Sequence, residues 1–125
     1  MINTKEEFIK EIQTQTTKWL DDQTPVTNPK DVQSVQTYTT HYQYLSDDIC
    51  RKIQSQDYNY LFCLNLNMDM IQKQKQCVKQ RQEIEKKFGL EMTAAANTDI
   101  IKLNAEIDFT ANISFIANTF IVLFK

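Results

Sequence analysis

Apolar residues recur along this chain in steps of three and four, the period of one face of an α-helix. The first stripe runs Phe8, Ile12, Thr16 and Trp19, with Ile9 and Leu20 beside it. Asn3 or Thr4 is placed to cap it, and Glu6 and Glu7 fall in the first turn, where the helix dipole favours acidic side chains. Residues 1–22 are therefore expected to hold a short amphipathic helix. The pattern then lapses over residues 23–28 around Pro25, which predicts a linker.

The second block is much longer. Asn28-Pro29 sets a capping side chain directly before a proline at the first helical position, with Asp31 following in the first turn. From Pro29 no glycine or proline occurs until Gly89. Across that span the apolar or near-apolar positions read Val35, Tyr38, Tyr42, Leu45, Ile49, Ile53, Tyr60, Leu64, Asn67, Ile71, Gln74, Val78, Arg81, Ile84 and Phe88. The spacing predicts one continuous helix over 29–88, on the order of 90 Å long. Gln56, Asn67, Gln74 and Arg81 interrupt its seam. Between Tyr58 and Met70 apolar residues instead spread round most of the helix, which implies two or more neighbours there, or a bend. Leu64 to Met70 also alternates with period two, a strand-like pattern, but its flanks are helical and no turn residues bound it.

Gly89 suits a helix C-terminus, and Lys86 and Lys87 before it suit the negative end of the dipole. A turn over 89–98 and an apolar helix over 99–125 are expected to follow, with Thr93 as an alternative start. Ile100, Leu103, Ile107, Phe109, Ile113, Ile116, Phe120 and Leu123 keep helical steps, and residues 109–124 carry no charge. That run is short of the roughly 20 residues needed to span a bilayer, and Asn112, Ser114, Asn118 and Thr119 interrupt it. It is expected to fold back along the long helix or to pack on a partner.

Composition supports this picture. One glycine and two prolines in 125 residues are too few for a hairpin-rich β fold, which needs them at tight turns. The expected fold is all-α: a short N-terminal helix, a long amphipathic helix and an apolar C-terminal helix folded back, of helical-hairpin or coiled-coil type. With 14 basic and 16 acidic residues the formal net charge is -2. This argues against nucleic acid as the main partner, since phosphate binding calls for a basic footprint. A local basic strip, Lys73, Lys75, Lys79, Arg81, Lys86 and Lys87 against Glu83 and Glu85, reads first as a solvated helix face. Binding of RNA, DNA or the anionic lipid of a membrane surface is its less favoured use.

Residues 1–10 lack the apolar core of a signal peptide. The three cysteines, Cys50, Cys63 and Cys77, are odd in number. Fourteen residues along one helix rise about 21 Å, so Cys63 and Cys77 cannot pair. They are expected to be reduced, partly buried thiols of an intracellular, cytoplasmic protein. A lone His41 and no ligand cluster exclude a zinc site of ordinary spacing. One glycine excludes a phosphate-cradling loop, and no nucleophile motif appears. No catalytic residue, cofactor or small-molecule substrate is expected.

The stretch Leu103-Asn104-Ala105-Glu106-Ile107-Asp108-Phe109-Thr110-Ala111-Asn112-Ile113-Ser114-Phe115-Ile116-Ala117-Asn118 resembles the C-terminal helix of inner-rod subunits of type III secretion systems. In that family a short acidic-apolar stretch leads into an amphipathic helix that packs in a helical assembly. The resemblance implies a structural subunit of a secretion apparatus. On the residues themselves, the expected function is that of a non-catalytic helical subunit or adaptor with other protein chains as partners, in a homo- or hetero-oligomer. Tyr60, Leu64, Ile71, Phe109, Ile113, Ile116, Phe120 and Leu123 are the expected partner contacts.

Overall fold

The computed structural model describes residues 3–22 and 29–124, and the side chains of residues 29–31 lie outside that description. The linker expected at 23–28 and the Asn28 cap fall outside the described residues. Among the described residues there are four helices: α1 (Lys5–Asp21), α2 (Pro29–Gln54), α3 (Tyr60–Phe88) and α4 (Ala94–Val122). No strand occurs among the described residues. The fold is all-α, as the spacing implies.

The helix expected over 29–88 is two helices. α2 closes with turns in which the backbone N–H of Ser55 and of Gln56 donate to Lys52 and Ile53 carbonyls at 3.3 and 3.0 Å. α3 then restarts on Asn59, an extended residue whose side chain accepts from the Phe62 N–H at 2.8 Å. This break needs neither glycine nor proline, because no non-glycine residue among those described takes a positive φ. The restart changes the helical phase. α3 buries Cys63, Met70 and Cys77, each one residue before the expected Leu64, Ile71 and Val78.

Local signals account for the other ends. Thr4 caps α1, accepting from the Glu7 N–H at 3.2 Å. Gly89 ends α3 at φ 54, with its N–H on the Glu85 carbonyl at 2.9 Å. A Cβ there would meet nothing within 4 Å, so the left-handed φ, not space, calls for glycine. Thr93 caps α4, accepting from Ala96. The turn is therefore 90–93, shorter than the expected 89–98, and α4 begins at Ala94.

Successive helices run antiparallel. The Lys5 ammonium donates to the Gln54 carbonyl at 3.2 Å, bringing the start of α1 to the end of α2. Asn67, Gln74 and Arg81 of α3 meet Ser114, the Ile107 carbonyl and Asn104 of α4 in descending order. The polar residues that interrupt the expected seam thus form a ladder at seven-residue spacing. A half-turn slip would strand each of them, so the ladder specifies register at some cost in apolar packing.

α4 is the hub: it packs on α1, α2 and α3, and α1 also packs on α2. Its buried face carries Ala105, Phe109, Thr110, Ile113, Ile116, Ala117 and Phe120. Against it lie Phe8 and Ile12 of α1 and Tyr42, Ile49 and Ile53 of α2. α2 and α3 stand apart. They leave a groove of about 540 Å³ between them, lined by Ile49, Ile53, Phe62, Leu66 and Met70 and floored by Phe109 and Thr110.

A hydrogen-bonded layer crosses the core. The Trp19 indole donates to the Tyr38 hydroxyl at 3.1 Å, and Tyr38 donates to the Asp108 carboxylate. Asn112 donates to the Tyr42 hydroxyl at 2.8 Å, and the Thr16 and Ser46 hydroxyls share a buried bond of 2.8 Å. Among the described residues no buried side-chain polar atom lacks a partner, as polar groups in a tightly packed interior require.

Candidate interaction face on α3

The residues expected to meet a partner divide into two groups. Phe109, Ile113, Ile116 and Phe120 are in the core, between 1 and 7 % exposed. In this fold they are closed to a partner, because α4 folds back inside its own chain and the three preceding helices cover it. Leu123 is partly buried and packs against the same cluster. Tyr60 and Ile71 are 40 and 39 % exposed, and Leu64 is half-buried. These three lie on α3, turned away from the groove shared with α2.

Sequence reasoning missed their neighbours Leu61 and Met68, which are 61 and 65 % exposed. Leu61, Leu64, Met68 and Ile71 follow steps of three, four and three, so they form one face of the helix. On α4, Phe115 and Val122 are also exposed. The crowding of apolar residues between Tyr58 and Met70 was visible in the sequence, but the phase that decides which of them point outward was not.

α3 therefore carries apolar residues on two faces. Toward the core it turns Phe62, Cys63, Leu66, Met70 and Cys77, interleaved with the polar ladder. Outward it turns Leu61, Met68 and Ile71, which are exposed, and Leu64, which is half-buried. A helix of a small bundle ordinarily buries one apolar stripe. Here a second stripe stays largely open among the described residues.

Other candidate chemistry is quiet. The His41 Nε2 lies 3.9 Å from the Glu106 carboxylate, and burial lowers its pKa while Glu106 opposes that shift. Among the described residues no group of three or more His, Cys, Asp or Glu is placed to hold a metal ion. Among the described residues no helix is long and apolar enough to cross a membrane.

Cys50, Cys63 and Cys77 are free and buried. Burial raises all three thiols, Cys77 from 9.0 to about 11 with added repulsion from Glu106. Burial likewise raises Tyr38, Tyr42 and Tyr58, and for Tyr38 the bond to Asp108 adds to it. The folded state holds these protons more tightly than the unfolded one. Their stabilisation is thus complete below the unfolded thiol pKa of about 9 and lost as pH rises through the folded values, about 11 for Cys77. The urea midpoint is expected to be flat from pH 7 to 9 and to fall above it, and thiol-disulfide reagents should label the native thiols only as fast as the fold opens. A flat midpoint up to pH 11 would contradict the burial of these groups.

Comparison with protein-family models, curated proteins and solved structures finds no match to the chain.

Proposed function

We propose that the protein is a non-catalytic helical subunit or adaptor of a multiprotein assembly, and that it acts by packing the outward face of α3 against a helix of another chain. The observation that carries this reading is the second apolar stripe of α3, on which Leu61, Met68 and Ile71 are exposed and Leu64 is half-buried. Contiguous exposed apolar surface of this kind marks sites of association.

The energetics set a condition on the partner. Covering four side chains that are already partly buried returns on the order of 3–6 kcal/mol, taking full burial of each as about 1.5–3 kcal/mol. Association costs an estimated 4–15 kcal/mol in lost freedom. The apolar stripe alone falls near break-even, so a stable contact must extend beyond it.

The test is affinity purification of the tagged chain from its native source, followed by identification of co-eluting chains. The wild-type chain is expected to bring down a partner, and Met68→Asp to lose it. Because Met68 is exposed, that substitution should move folding stability by no more than about 0.5 kcal/mol. Equal recovery of the same chains by Met68→Asp refutes the assignment of this face.

A further inference from the structure

The outward face of α3 does not stop at Ile71. In the same helical register it continues as Lys75, Lys79, Gln82 and Lys86, all exposed. One face, roughly 38 Å long, is therefore apolar in its first half and basic in its second. None of the three lysines is in an ion pair with a described residue. Arg51 and Lys52, by contrast, are held by Asp48, and Arg81 by Glu85.

We propose, resting on the partner-binding reading above, that this face docks an acidic amphipathic helix of a different polypeptide. Apolar side chains of that helix cover Leu61 to Ile71, and its carboxylates meet Lys75, Lys79 and Lys86. The lysines supply the extension that the apolar stripe needs.

The arrangement disfavours the other occupants. A second copy laid antiparallel along the whole face sets Leu61 against Lys86 and Met68 against Lys79, and a parallel copy sets lysine against lysine. A helix at a membrane surface carries its apolar and basic residues on opposite faces along its length. Here the two kinds succeed one another on the same face. A bilayer that took in Leu61 and Met68 along this face would press Lys75 and Lys79 to the same depth.

The test titrates the full chain with labelled synthetic helices of about 26 residues, long enough to follow the face, in both chain directions. Each carries leucines at helix-face spacing in one half and either Glu, Gln or Lys in the other. The Glu peptide is expected to bind about tenfold more tightly than the Gln peptide, the sum of three exposed ion pairs. That preference should collapse near 1 M salt, where screening acts within about 3 Å. The Lys75→Glu, Lys79→Glu, Lys86→Glu triple variant should stay folded, with a modestly lower urea midpoint because Lys86 sits at the negative end of the α3 dipole, and should reverse its preference to the Lys peptide.

Equal binding of the Glu and Gln peptides overturns the acidic partner and leaves the protein-docking face standing. Failure of every peptide to bind overturns the inference, and it overturns the broader reading too if Met68→Asp also keeps its co-purifying chains. Binding to phosphatidylserine vesicles without binding to any peptide assigns the face to a membrane. A dimer in light scattering that Met68→Asp dissociates, with no peptide bound, assigns it to a second copy.

Discussion

Ile116→Asp is expected to leave no folded protein at 25 °C. Ile116 is 5 % exposed, on the buried face of the one helix that every other helix packs upon. Removing a buried isoleucine costs about 2–5 kcal/mol, and an unpaired carboxylate in its place costs several more. The whole stability of a domain this size is about 5–15 kcal/mol. Far-UV circular dichroism and the spread of amide NMR shifts report the result. A variant that keeps the wild-type helical signal and urea midpoint would show that α4 is not the hub. The contrast with Met68→Asp is informative, because the same chemical change on the outside of α3 should leave the fold intact.

The second large effect is expected at Phe8. Its side chain is fully buried, and its ring meets Phe120, Tyr58 and Phe62 at centroid distances of 5.0, 5.5 and 6.3 Å. One residue of α1 thus touches α4, the break after α2 and the first turn of α3. Phe8→Ala should cost about 3–5 kcal/mol by urea unfolding. A 17-residue helix is marginal alone in water. Amide protection should therefore fall first along Lys5–Asp21, ahead of α3 and α4. A loss below 1 kcal/mol, or uniform loss of protection, would contradict this account.

How much of this was legible in the chain follows from particular residues. Scarcity of glycine and proline and the helical spacing sufficed for an all-α fold, and Thr4, Gly89 and Thr93 marked helix ends through ordinary capping chemistry. The break after Gln54 was not legible as such. Ile53 and Tyr60 are seven residues apart, two helical turns, so the apolar spacing carries across the gap as if the helix continued. The cap at Asn59 was the available signal, but an asparagine between two tyrosines also suits the solvated side of a continuing helix. Missing the break shifted the α3 seam by one residue: Asn67, Gln74 and Arg81 still face α4, while Cys63, Met70 and Cys77 take the buried places expected of Leu64, Ile71 and Val78. The polar ladder was legible only as a defect, because Asn67, Gln74 and Arg81 find their partners on a segment that follows a turn. Phe109, Ile113, Ile116 and Phe120 were recognised as buried, but whether by this chain or another depended on a fold-back that spacing alone does not fix.

The central place of α4 also bears on how the chain is made. α1 and α2 can begin to pair as soon as both have been synthesised, since they touch directly. α3 cannot, because it does not meet α2 closely and its partner is the next helix to emerge. At about 5–20 residues per second, the 29 residues of α4 take roughly 1.5–6 s to add. During that interval both stripes of α3 are bare, the inner as well as the outer. A nascent chain paused before Ala94 would present a helix with no place to dock, the kind of segment that holding chaperones capture.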